Sequence, residues 1–258
     1  MNYTKHKKVA LYAAKKAGDE LLKKFRTGNY TLKFKSKHEI VTNVDIDSNT
    51  MILDIIKKNF PEHAILSEET GKSKNKSEFL WVVDPLDGTT NFFSHNPLFC
   101  VAIALVHNNE PVLSVIYAPY TKEMYWAKKG KGAFESNKPL KVSKQKNIDR
   151  AFINYCHGYT KKSKEKAIDV HRYLKLNKLD SRHFGSTSLE CAYVAAGHID
   201  TIFIPQPHAW DVVAGILLIR EAGGKVTSFD GEEWSLKSKS MLASNKHIHK
   251  DMLKIVNR

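Results

Sequence analysis

The chain has 258 residues, 42% of them hydrophobic, which is enough to bury a large core; length alone allows two domains, but single α/β domains of this size are routine. A net charge of +14 raises nucleic acid as a partner, yet the lysines fall in scattered pairs (Lys7 and Lys8, Lys15 and Lys16, Lys23 and Lys24, Lys57 and Lys58, Lys128 and Lys129), and no zinc-finger spacing, RNP-like aromatic strand or helix-turn-helix accompanies them. Cys100, Cys156 and Cys191 form no CxxC and leave one thiol over in any disulfide scheme, and no run approaches a signal-peptide core or a membrane span, so a soluble, cytoplasmic protein with reduced thiols is expected.

Val9, Ala13, Ala17 and Leu21, with Tyr12, Leu22 and Phe25, recur at helical spacing and predict an amphipathic first helix that Gly28 ends. Thr31 to Lys35 reads as a strand. Thr42, with Asp45 three residues on, resembles a capping box opening a helix that carries Val44, Met51, Ile52, Ile55 and Ile56. On these residues alone Asp45 is a cap as readily as a catalytic acid. Ala64 to Leu66 is a short strand that runs into Ser67, Glu68 and Glu69, and Lys72 to Ser77 is a polar, basic loop. Leu80 to Asp84 is a further strand.

Leu98 to Val106 and Pro111 to Ala118 are β-rich runs joined by His107, Asn108, Asn109 and Glu110, the pattern of a hairpin, and Met124 to Ala127 reads as another arm. The lysine-rich segment Ser136 to Asp149 is the candidate boundary between two lobes of a single 1–258 domain. Beyond it the chain reads as a strand (Ala151 to Tyr155), helices (Ser163 to Lys175 and Ser186 to Ala196), a strand (Thr201 to Ile204), a helix (Asp211 to Ala222) and a strand (Lys225 to Ser228). Such alternation implies layered α/β architecture.

The chemistry concentrates in Asp84 to Phe92, DPLDGTTNF, directly behind the apolar run Phe79 to Val83. A short apolar run bounded by Pro and Gly reads as a strand buried on both faces, with Asp84 at its carboxyl end and Asp87 in the turn that follows. Ligands of helix-packed sheets bind in the crevice beyond the carboxyl ends of the strands, where both acids would lie. The amides of Gly88, Thr89 and Thr90 favour an anion and the carboxylates a cation. Together they suggest a phosphate ester bridged to the protein by divalent metal. Asp-Pro and Asp-Gly are also ordinary turn dipeptides, so the argument needs acids elsewhere. Glu68 and Glu69 end one strand, and Asp211 opens an apolar helix.

The motifs VTNVD (Val41 to Asp45), SEE (Ser67 to Glu69), WVVDPLDGTTNF (Trp81 to Phe92), WDVVAG (Trp210 to Gly215) and EAGG (Glu221 to Gly224) run in one order over nearly the whole chain. In them the chain resembles the inositol monophosphatase family, the magnesium-dependent, lithium-sensitive sugar-phosphatase superfamily. The resemblance implies an αβαβα sandwich, a homodimer, and hydrolysis of a small phosphorylated metabolite by water with Mg²⁺ as cofactor. It implies that Glu68, Asp84, the Leu86 carbonyl and Asp87 hold a first Mg²⁺, that Asp87 and Asp211 reach a second, and that Glu69 supports a further one. It also assigns Thr89 and Asp45 as the dyad that activates water, Gly88, Thr89 and Thr90 as the phosphate cradle, Gly185, Ser186 and Thr187 as the strip facing the substrate, and Lys35 as added positive charge, with a surface lysine as the other reading.

One position departs from the family pattern. Inositol-preferring relatives carry a glutamate seven residues before the Asp of the WD motif, and this chain has Ile204, which accepts no hydrogen bond from a ring hydroxyl. Inositol monophosphate, fructose bisphosphate, histidinol phosphate, PAP and NADP all remain as substrates. Among rival constellations, the haloacid-dehalogenase pattern DxDGT fails because two residues separate Asp84 from Asp87, and a basic, RNA-associated, non-catalytic protein leaves the full set of acids without a purpose. His208, beside the WD motif, is the one histidine that is a candidate to line the site, although a surface role suits it better.

Overall fold

The computed structural model describes residues 3–28, 30–36 and 39–258, those from 32 to 42 by backbone alone. The expected cap at Thr42 and the expected charge of Lys35 concern side chains outside this description. The chain runs through α1 (Thr4–Thr27), β1 (Leu32–Ser36), β2 (Glu39–Thr42), α2 (Asn43–Asn59), β3 (Ala64–Ser67), β4 (Gly71–Lys72), β5 (Phe79–Asp87), α3 (Thr89–Phe93), β6 (Cys100–His107), β7 (Glu110–Ala118), β8 (Glu123–Lys128), β9 (Ala133–Glu135) and β10 (Lys138–Pro139). It continues through β11 (Ile153–Tyr155), α4 (Lys161–Leu176), β12 (Ser181–Arg182), α5 (Thr187–Ala196), β13 (Thr201–Pro205), α6 (Ala209–Glu221), β14 (Lys225–Thr227), β15 (Ser240–Ser244) and α7 (His249–Val256).

Periodicity decides the layers. In α1 the residues Val9, Ala13, Ala17, Leu21 and Phe25 are buried, and Gly28, left-handed at φ 64°, turns its N–H back to Lys24 O at 3.0 Å to end the helix. This face and that of α2 cover one side of an eight-stranded sheet ordered β10-β9-β8-β7-β6-β5-β3-β4. The other side of that sheet packs on α5 and α6, which are apolar nearly all round because a five-stranded sheet, β12-β11-β13-β15-β14, lies against them in turn. Beyond the second sheet come α4 and α7, closing an αβαβα sandwich as expected. The expected hairpin between β6 and β7 turns at Asn108 and Asn109, whose φ of 50° and 64° are the left-handed pair that such a turn requires.

The sheet departs from expectation at its centre. β5 does not stop at Asp84 but runs on to Asp87, so Asp87 is a strand residue rather than a turn residue. Its register against β6 shifts on the way: Asp84 lies opposite Ala102 and Asp87 opposite Cys100, three steps on one strand against two on the other. The extra residue is a bulge at Pro85 and Leu86, where proline has no N–H to give the ladder. Strand alternation would send Asp84 and Asp87 to opposite faces. Instead Val82 joins the core on the α5/α6 side while Trp81, Val83 and also Leu86 join the core on the α1/α2 side. The bulge has reversed the alternation, and Asp87 faces α5 with Asp84.

At the far end of β5 from the acids, the His6 ring stacks on Phe60 with centroids 4.4 Å apart and an interplanar angle of 7°, and on His63 at 5.5 Å. Its Nδ1 is buried and unpartnered among the described residues, and burial, reinforced by His63, Lys5 and His107, pushes its pKa down to about 4. The unfolded chain takes up that proton near the ordinary value of 6.5, so this group costs stability as pH falls from there toward 4. His6→Phe preserves the stack and deletes the orphaned nitrogen. Thermal melts should find it at least as stable as the parent at pH 7.5, with an advantage that grows as pH is lowered to 5; a variant that loses its lead on acidification would contradict the assignment.

Candidate metal and phosphate site

Three acids converge where β5, the end of β3 and the start of α6 meet. Asp84, Asp87 and Asp211 are 2%, 9% and 6% exposed. Glu68 follows β3, held beside β5 by its N–H to Val83 O at 3.2 Å. Asp211 lies in the first turn of α6, its Oδ2 accepting the His208 N–H at 2.8 Å. The bulge between the two β5 acids is pinned from three directions: Ser48 Oγ donates to Pro85 O at 2.8 Å, the Leu86 N–H to Asp84 Oδ1 at 3.2 Å, and Leu86 O, 3.1 Å from Thr89 Oγ1, shares that one hydroxyl proton with Asp45 Oδ1.

These carboxylates resist ionisation together. Burial first, then the charges of Glu68, Asp87 and Asp211, hold the Asp84 carboxyl well above the usual carboxylate range. Asp211 is pushed up to about 8, by burial and then by Asp87, against the opposing hydrogen bonds from His208 and Tyr159. Asp87 is raised by burial, but Ser186, Ser188 and Thr187 donate to it and pull the other way. No ion pair among the described residues involves Asp84, Asp87 or Asp211. These carboxylates and the Leu86 carbonyl are hard oxygen donors, the acids raised first by burial and then by one another's charge, with the Cys100 thiol 3.6 Å from Asp87 Oδ2, and such oxygens suit Mg²⁺. The residues present therefore fit that ion, and Glu68, Asp84, Leu86 O, Asp87 and Asp211 are those that would hold it.

Next to the acids, Thr89 Oγ1 reaches Asp45 Oδ1 at 3.0 Å, and Asp45 itself is buried near the start of α2. Gly88, at φ 90°, permits this turn: a Cβ there would meet Leu98 O at 2.9 Å and Ser186 Cβ at 3.2 Å. The amides of Thr89 and Thr90, at the start of α3, precede any intrahelical acceptor.

The segment Gly185, Ser186 and Thr187 is turned onto Asp87. Ser186 Oγ donates to Asp87 Oδ2 at 2.7 Å, the Thr187 N–H to Oδ1 at 3.2 Å and the Ser188 N–H to Oδ2 at 2.7 Å. The segment is itself held by Glu190 Oε1, which accepts the amides of Phe184 at 3.1 Å and Gly185 at 3.0 Å. Tyr159, unforeseen from sequence, donates its hydroxyl to Asp211 at 3.0 and 3.1 Å and stacks near His208 at 4.1 Å; no motif or spacing marks it, because it comes from the loop before α4. Ile204 lies in β13 with its side chain in the apolar core, 2% exposed, so its departure from the family pattern replaces a polar group by core packing.

The family whose sequence pattern matches the chain is the inositol monophosphatase family, over residues 2–258. The chain is 36% identical over 250 residues to the Nus factor SuhB of Escherichia coli K12, covering 95% of this chain and 93% of that protein. It is 36% identical over 219 residues to the fructose-1,6-bisphosphatase/inositol-1-monophosphatase of Thermotoga maritima, covering 85% and 83%. The crystal structure of the extragenic suppressor protein suhB from Bartonella henselae superimposes with a TM-score of 0.91 at 31% identity, over 97% of this chain and 98% of that one.

In metal-free buffer the crowded acids should make the fold less stable than it need be. A carboxyl whose folded pKa is raised contributes stability below its unfolded value near 3.8, and that contribution is lost as pH rises through the folded value, about 8 for Asp211. Asp84→Asn removes one charge, keeps the acceptor for Leu86 and offers a donor to Glu68. It should melt about 2–4 °C higher than the parent in EDTA at pH 8, the shift that about 1 kcal/mol produces in a chain of this size. The gain should shrink at pH 5; an unchanged or lower melting point at pH 8 would mean the acids are not in conflict.

Proposed function

The chain belongs to the inositol monophosphatase family, and from that membership we propose that it is a phosphoric monoester hydrolase acting on a small sugar or polyol phosphate with Mg²⁺ as cofactor. The observation that carries the proposal is the burial of Asp84, Asp87 and Asp211, coupled by charge to one another and to Glu68, with no cation among the described ion pairs to neutralise the three aspartates. Mg²⁺ bound there supplies charge neutralisation for the phosphoryl oxygens and acidifies water.

The chain's own residues provide the rest. Asp87, fixed by donors from Ser186, Thr187 and Ser188, cannot swing away from Asp84, so the acids keep one spacing through turnover. The amides at Gly88, Thr89 and Thr90 are offered to the phosphate. Thr89, donating to Asp45, has its lone pair turned to accept from water, and a proton received at Oγ1 is matched by one passed to Asp45 Oδ1. Tyr159 covers Asp211 at the mouth and orients its carboxylate. With Ile204 in the core, no acid from β13 reads ring hydroxyls, which supports a permissive leaving group.

A second reading follows from relatives that bear the name Nus factor SuhB together with the charge of +14: a non-catalytic role using the basic exterior. Salt-sensitive RNA association without any phosphate release would favour it.

The proposal is tested by measuring phosphate released from a panel of monoesters with and without Mg²⁺. Turnover should require Mg²⁺, and kcat/KM for myo-inositol 1-phosphate should not exceed that for glycerol 2-phosphate a thousandfold. Thr89→Ala and Asp45→Asn should each lower kcat by about 10² to 10⁴ with little change in KM. Near-parental kcat in both would remove the dyad from the account.

A further inference from the structure

Behind the segment that braces Asp87 lies a group of unlike ligands that the hydrolysis does not use. Cys156, just past β11, and Glu190, on α5, are buried, while His183 is exposed at the surface between them. One ligand atom from each lies within 4.8 Å of the other two. Cys156 Sγ is 3.5 Å from Glu190 Oε1. On a tetrahedral ion with bonds of about 2.0–2.3 Å, neighbouring ligand atoms sit roughly 3.3–3.8 Å apart, so the sulfur and the carboxylate oxygen are already at that separation and His183 has only to close in. His183 makes no hydrogen bond through its ring nitrogens among the described residues, and the His157 ring, also exposed, is 5.3 Å from it, centroid to centroid.

The surroundings favour a cation over an apolar filling. Glu190 Oε2 accepts from Asn154 Nδ2 at 2.8 Å, and the Oδ1 of that same amide is buried without a partner among the described residues. Sulfur, imidazole and one carboxylate form a mixed, soft set that Mg²⁺ avoids and that zinc-class ions prefer. Access is from the side of His183, the exposed member of the group.

We propose that Cys156, His183 and Glu190 form a second metal site, for a thiophilic divalent cation of the zinc class, with His157 or water completing the tetrahedron. On binding, the Cys156 thiol releases its proton to solvent and the metal–sulfur bond forms in its place; no electron is transferred. The site is joined to the first by covalent and hydrogen-bonded neighbours, since Glu190 Oε1 holds the amides of Phe184 and Gly185 and the next residues hold Asp87. It does not rest on the phosphatase reading, because its test is binding.

The full chain, saturated with Mg²⁺, is titrated with Zn²⁺ by calorimetry and with Co²⁺ by absorption. The parent should take up one Zn²⁺ per chain and show thiolate-to-cobalt charge transfer. His183→Ala, an exposed change that leaves the core intact, should weaken Zn²⁺ at least tenfold; Cys156→Ser should abolish the charge-transfer band; Asp84→Asn should leave both unchanged. Absence of uptake by the parent, uptake unaltered in His183→Ala, or uptake lost in Asp84→Asn would each overturn the proposal, the last by putting the zinc among the acids.

Discussion

The bulge at Pro85 and Leu86 sets the direction of the acids on which the site depends. In a strand of strict alternation, residues three apart point to opposite faces, and Asp87 would have entered the apolar layer between the first sheet and α1. The single extra residue between Asp84 and Asp87 reverses that, sending Leu86 into the core and both carboxylates toward α5 and α6. Proline makes the bulge inexpensive, because the ladder loses no donor there that it had. Ser48, Thr89 and the Asp84 carboxylate then take up the polar atoms that the irregular backbone exposes.

Once the acids share a face, burial and then their mutual repulsion both oppose ionisation. Burial and neighbouring charge raise Asp84 and Asp211, and the surrounding hydrogen bonds act selectively. Asp87 receives donors from three residues at the start of α5, which favours its charged form and fixes its position. Asp84 receives the Leu86 backbone N–H and keeps a strongly raised pKa. The cluster thus joins one member held in place by hydrogen bonds to members that a bound cation would help to ionise. A fold that keeps such a cluster gives up stability for it, as functional sites commonly do.

Much of this was legible in the sequence because apolar runs and turn residues are local signals. Phe79 to Val83 announced a central strand, Gly28 the end of α1, and Asn108 with Asn109 the hairpin; the order of motifs announced the family and, through it, the layers. What stayed hidden was set by tertiary contacts. The continuation of β5 through a proline runs against the local rule, and only pairing with β6 reveals it. Tyr159 and Glu190 act across 52 residues and across the core respectively, with no spacing to mark them. The C-terminal strand and helix, Ser240–Ser244 and His249–Val256, are short pieces stabilised by β13 and the apolar layer beneath; the helix does carry an apolar face in Met252, Ile255 and Val256, but at eight residues it is too short to stand out without its tertiary partners. Ile204 accepts no hydrogen bond, and its burial means that a glutamate installed there would enter the core, so substitution at that site cannot serve as a simple exchange of specificity.

The central claim is that the acid cluster exists to hold a divalent cation. The most direct test is the melting temperature of the unmodified chain across a Mg²⁺ series at constant ionic strength, with Na⁺ making up the balance. A cation bound only by the folded state raises stability by RT ln(1 + [Mg²⁺]/Kd), so the melting point should climb steadily with the logarithm of Mg²⁺ above Kd. A melting point that stays flat, or that Na⁺ raises equally, would contradict the account.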